Sequence, residues 1–134
     1  MFLDTTFCID LMRERRRGEH GPATRRLEEL RDIPLYMSVF AACELQAGAR
    51  MSDRPTQELR KVEMLTEFVE MVLPDRSFAV AYGEAEAFLR KRGKRVPVMD
   101  LLIGVMAQAQ GMPLLTADDS NFREIPGLVV ETYR

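Results

Sequence analysis

The chain has 134 residues, 46% hydrophobic and 30% charged, a balance that suits one globular domain over 1–134 and matches neither a disordered tail nor a membrane span. Nineteen Lys and Arg against 21 Asp and Glu leave a net charge of −2, so any contact with nucleic acid must be local. No basic, then apolar leader follows Met1, and Cys8 and Cys43 lie in apolar helical patterns without CxxC spacing; buried free thiols in a reducing cytoplasm are expected.

Met1 to Leu3 reads as a short strand, and Asp4-Thr5-Thr6 is a helix-start signal for a first helix ending near Gly18. His20 falls in the following connection as a solvated residue. A second helix opens at Pro22 and stops before Pro34. After the strand Leu35 to Met37, Ser38 is placed to cap a helix over Val39 to Ala49. Pro55 opens a long helix carrying Val62, Leu65, Phe68, Val69 and Val72 at helical spacing, ended by Pro74. Asp75 to Phe78 allows a brief strand before a helix from Ala79 to Arg92, closed by Gly93. A last helix runs from beyond Pro97 to Gly111, and Leu114 to Thr116 and Leu128 to Val130 complete the strands. Strands alternating with helices predict an α/β fold, a three-layer α/β/α sandwich with a short, mostly parallel sheet.

In such a sheet, ligands bind outside the carboxyl ends of the strands, where strand order switches. Asp4 ends the first strand and Asp118 follows Leu114 to Thr116, so neighbouring strands would bring two sequence-distant carboxylates to one edge. Taken singly, each also reads as a helix cap or a turn residue. Glu44 and Asp100 are less easily explained, because both sit among apolar neighbours with no basic residue well placed in their own segments. Acids gathered in this way repel one another, and a divalent cation would relieve the repulsion. All-oxygen ligands suit Mg²⁺ or Mn²⁺, whereas zinc would favour His and Cys. The four carboxylates are therefore expected to converge on a metal, with Asp118 rather than Asp119 turned toward it.

The ordered set Asp4-Thr5, Ser38-Val39 with Glu44-Leu45, Asp100-Leu101-Leu102-Ile103 and Thr116-x-Asp118 with Phe122 resembles the PIN-domain nucleases. Within that family it looks like the VapC-type toxins of bacterial and archaeal toxin–antitoxin pairs, over nearly the whole chain to Ile125-Pro126-Gly127-Leu128. The resemblance implies a Mg²⁺- or Mn²⁺-dependent ribonuclease, commonly dimeric and silenced by a cognate antitoxin. It assigns Asp4, Glu44, Asp100 and Asp118 as acidic ligands and Thr116 as a supporting hydroxyl. Three positions depart from the family pattern: Thr6 stands where Asn is frequent, Ala41 where Thr is common, and Asn121 where an Asp often precedes the Phe. The last departure makes Asp118 the fourth acid and thins the cluster.

Two basic stretches, Arg13 with Arg15 to Arg17, and Arg90 to Arg92 with Lys94 and Arg95, are equally suited to completing helix dipoles and to tracking RNA phosphates toward the metal. The stripe from Val62 to Val72, flanked by Met64 and Met71, is broad enough to serve a homodimer as well as a core. A receiver domain would need a lysine after Leu114-Leu115, which is missing. A metal-free PIN-like module binding RNA or protein stays open.

Overall fold

The computed structural model describes residues 1–134. Strand β1 (Phe2–Leu3) runs into α1 (Thr5–Arg17) and α2 (Pro22–Glu29); β2 (Tyr36–Ser38) is followed by α3 (Val39–Arg50) and α4 (Pro55–Thr66); β3 (Glu70–Val72) is followed by α5 (Arg76–Lys91) and α6 (Val98–Ala109). The chain closes with β4 (Leu114–Thr116), a 3₁₀ turn (Phe122–Glu124) and β5 (Val130–Thr132). The five strands lie in the order β3-β2-β1-β4-β5, and every neighbouring pair is parallel, so the sheet is wholly parallel. The chain winds outward from β1 to β3, then returns past β1 to β4. Because crossovers keep one hand, that reversal puts helices on both faces and yields the expected three layers. It also places the switch in strand order between β1 and β4.

Phe2, Leu3, Met37, Leu114 and Leu115 are fully buried, as strands covered on both faces require, and they form the centre of one continuous core. Helix boundaries follow local chemistry. Gly18 takes a left-handed conformation (φ 65°) to end α1, and the Ser38 hydroxyl accepts from the Ala41 amide at 3.1 Å to start α3. At Gly21 a Cβ would stand 2.4 Å from the Glu14 carboxylate. That carboxylate accepts from the Ala23 and Thr24 amides at 2.9 and 2.7 Å and from the Thr24 hydroxyl at 2.6 Å, so α1 caps the start of α2.

The long helix expected from Pro55 to Pro74 is corrected: it ends at Thr66, and Glu70–Val72 forms an edge strand against β2, Tyr36 beside Glu70 and Ser38 beside Val72. A short β-branched run fits either period, and pairing with β2 decides. The brief strand at Asp75 to Phe78 is also absent. Asp75 instead accepts from the Ser77 amide at 2.8 Å and caps α5, which starts at Arg76. Strands β2 and β5 lie one and two residues later than the apolar runs suggest, because pairing with β1 and β4 fixes their register. Cys8 is buried, but Cys43 is exposed: Ala41, Leu45 and Ala49 share the buried side of α3, and Cys43 turns outward. Val62, Leu65 and Val69 enter the core, leaving Met64, Phe68 and Met71 as the exposed part of the stripe. His20 is exposed and pairs with Glu28 at 2.9 Å. No helix is long and apolar enough to cross a membrane.

Candidate active site

At the switch between β1 and β4, Asp4 occupies the N-cap position of α1 with an extended backbone (φ −76°, ψ 157°), yet its side chain caps nothing. It is 4% exposed and turned toward β4. Its Oδ2 accepts from the Thr116 hydroxyl at 2.7 Å and the Thr6 hydroxyl at 2.8 Å. The Thr6 hydroxyl also accepts from the Ala117 amide at 3.0 Å, and the Thr116 hydroxyl from the Asp118 amide at 3.2 Å. Both strand ends and the first turn of α1 are thus locked together. Burial pushes the Asp4 carboxyl above the usual carboxylate range; the two hydroxyls pull it back in part, and the negative charge of Asp100 pushes it further up.

Glu44 and Asp100 are half-buried on either side. Glu44, in the second turn of α3, accepts at Oε1 from the Thr5 hydroxyl at 2.7 Å. Asp100, in the first turn of α6 where the helix dipole favours an anion, accepts at Oδ2 from the Asn121 amide at 2.9 Å. The structure contains nine ion pairs, and none involves Asp4, Glu44 or Asp100. The acids are held by neutral donors alone.

Asp118 behaves differently. It is exposed, and its Oδ1 accepts from the Ser120 amide at 3.1 Å, which with the Ser120 hydroxyl holds its carboxyl below the usual range. Asp119 pairs with Arg123. The four carboxylates are expected to converge within roughly one to two metal-ligand shells; no three of them form a group that could enclose an ion by themselves. Each acid is moored to its own neighbours: Asp4 to Thr6 and Thr116, Glu44 to Thr5, Asp100 to Asn121 and Asp118 to the Ser120 amide. The donor set nonetheless fits a hard cation: Mg²⁺ keeps several waters and takes only one or two carboxylates directly. Thr5, Thr6 and Asn121 were not legible as partners of the acids. The threonines read as helix-start residues, and Asn121 only as a departure from a pattern.

Beside Glu44, a cavity of about 270 Å³ lies between α1, α3 and α4, with Met12 and Leu45 on its walls and Arg13, Arg16 and Lys61 among its lining. Beyond Asp100, Arg90, Gly93, Lys94 and Arg95 line a second cavity of about 280 Å³ at the turn leading into α6. Of the two basic cavities, the first is lined in part by Glu44 itself, and the second lies at the turn that leads into the helix carrying Asp100.

A family model described as the PIN domain matches residues 1–128. The chain belongs to the PIN-domain family. This PIN domain is 32% identical to Ribonuclease VapC1 of Haemophilus influenzae (strain R2866) over 126 residues, 94% of this chain and 92% of the relative. It is 28% identical to the tRNA(fMet)-specific endonuclease VapC of Salmonella typhimurium (strain LT2), covering 98% of this chain and 96% of that one. Among solved structures, that of VapBC2 from Rickettsia felis bound to a DNA fragment from their promoter superimposes with a TM-score of 0.90 at 25% identity, covering 99% of this chain and 98% of that one. The PIN domain is thus of the VapC type.

Proposed function

We propose that this PIN domain is a Mg²⁺- or Mn²⁺-dependent endoribonuclease acting as the toxin of a toxin–antitoxin pair. The observation that carries the reading is the trio of acids Asp4, at the strand-order switch, Asp100 and Glu44, partly or wholly buried, held by neutral donors and none of them in an ion pair. A bound Mg²⁺ or Mn²⁺ would supply a water of lowered pKa and neutralise charge developing on the scissile phosphate. Asp4 and Asp100 would hold the ion directly, Glu44 would hold the ion or orient water, and exposed Asp118 would act from the outer shell. Thr116 keeps Asp4 aimed across the strand ends. Arg13, Arg16 and Lys61 in the cavity beside Glu44, and Lys94 and Arg95 at the turn into α6, would attract the RNA backbone.

The kinship with VapC proteins supports an antitoxin as partner, a segment of which would cover the acids and keep RNA out. A homodimer would pair through the exposed Met64, Phe68 and Met71. A reducing cytoplasm suits the free thiols of Cys8 and Cys43. The test is incubation of the purified chain with a transfer-RNA pool in Mn²⁺, with and without chelator. Cleavage that disappears with chelator and in Asp100→Asn supports the nuclease. RNA retention without cleavage in any divalent cation would favour the RNA-binding module.

A further inference from the structure

The hydrogen bonds to the three acids share one arrangement. Asp4 is held at Oδ2, Glu44 at Oε1 and Asp100 at Oδ2, and no side-chain donor reaches the second oxygen of any of them. The donors are neutral in every case, a threonine hydroxyl or an asparagine amide. Elsewhere in the molecule the half-exposed acids take the ordinary solution and pair with a cation: Glu58 with Lys61 at 2.9 Å, Glu86 with Arg90 at 2.6 Å and Glu131 with Arg26 at 2.6 Å. A guanidinium at the site would satisfy the acids equally well but would cancel their charge and occupy both oxygens. A neutral donor fixes the rotamer and leaves the charge intact.

We infer that Thr5, Thr6 and Asn121 are positioning residues that moor one oxygen of Glu44, Asp4 and Asp100 respectively and leave the other free for a divalent cation. Thr6 does so through two contacts at once, because the hydroxyl that donates to Asp4 also accepts the Ala117 amide and so ties the mooring to the end of β4. Asn121 has the same effect from the segment after β4, reaching back to α6 across 21 positions of sequence. Without these donors Glu44 and Asp100 would lose their one side-chain hydrogen bond and Asp4 one of its two, and the ion would have to supply more of the ordering itself.

The inference rests on the nuclease reading, and calorimetry separates the two. Mn²⁺ is titrated into RNA-free wild-type protein and into Thr5→Val, Thr6→Val and Asn121→Leu, with single-turnover cleavage and thermal melting measured alongside. Valine keeps the shape of threonine and removes only the hydroxyl. Each variant is expected to lose roughly tenfold or more in Mn²⁺ affinity and to lower the maximal single-turnover rate while leaving the protein concentration needed for half that rate near wild type. Thr6→Ser, which keeps the donor, should restore both. If wild type neither binds Mn²⁺ nor cleaves RNA, the nuclease reading fails. If wild type does both, and the folded valine and leucine variants match it within about twofold, the positioning role is overturned.

Discussion

Thr116 and Asp4 stand 112 positions apart in sequence and 2.7 Å apart in space, the hydroxyl at the end of β4 donating to the carboxylate at the end of β1. The contact exists because β1 and β4 are parallel neighbours in register, Leu3 beside Leu115, so the next residues of both strands emerge together. Thr116→Val fills nearly the same buried volume and removes the donor. Cleavage should fall roughly ten- to a hundredfold with a small change in melting temperature. A variant as active as wild type would show the contact to be incidental.

Asp118 and Asp119 are neighbours with different surroundings, the first facing the Ser120 amide and the second paired with Arg123. An acid in the outer shell contributes less to an ion than a direct ligand and more than one paired elsewhere. Mn²⁺ affinity should therefore fall most for Asp100→Asn, less for Asp118→Asn and least for Asp119→Asn. A reversed order of the last two in calorimetry would reject the assignment of Asp118.

The outline of the fold was legible because its boundaries are written in local chemistry: Gly18 permits a left-handed stop, Ser38 accepts the Ala41 amide, and Pro22 and Pro55 suit first helical turns. Where local chemistry is ambiguous, pairing decides. Val69 and Val72 fit a helix stripe as well as a strand, and only the alignment of β3 with β2 separates the two. The acids could be picked out because Glu44 and Asp100 sit among apolar residues without a local partner. The moorings by Thr5 and Asn121 could not, since they meet Glu44 and Asp100 only after the sheet and helices assemble; Thr6 lies two residues from Asp4, but its hydroxyl reads equally well as part of a helix start. The reach of Glu14 from α1 to α2 escaped notice for the same reason.

That reach has a pH signature. Burial alone would push the Glu14 carboxyl up, but the Thr24 hydroxyl and the amides of Ala23 and Thr24 outweigh it and bring it below its ordinary value of 4.5. A carboxyl with its folded pKa depressed stabilises the fold above its unfolded pKa and loses that contribution as pH falls through the folded pKa. Glu14→Gln should cost roughly 1–2 kcal/mol at neutral pH, the size of a lost helix cap. Urea midpoints of variant and wild type should converge as pH is lowered beneath 4.5. A gap that stays constant to acid pH would mean that the charge of Glu14 contributes nothing.

Val62, Leu65 and Val69 are already buried within one chain, so a dimer built on this stripe would use the narrower exposed strip of Met64, Phe68 and Met71. Arg15 lies 5.5 Å from the centre of the Phe68 ring and keeps that edge amphipathic. Light scattering at micromolar concentration should give twice the chain mass, falling toward a monomer in Met64→Lys with Phe68→Lys. A monomeric wild type would reject the dimer.

Under the proposed function, the buried Asp4 carboxylate at the end of β1 holds a cation for RNA cleavage. Single-turnover cleavage of one RNA by wild type and by Asp4→Asn, followed across a Mn²⁺ series, tests it most directly. The asparagine keeps the size of the side chain and can still meet Thr6 and Thr116, so the fold should persist while the charge is lost. Wild type should saturate with Mn²⁺, and the variant should be slower by more than about a hundredfold and fail to saturate over the same range. Equal rates and equal Mn²⁺ dependence in the two proteins would contradict the account.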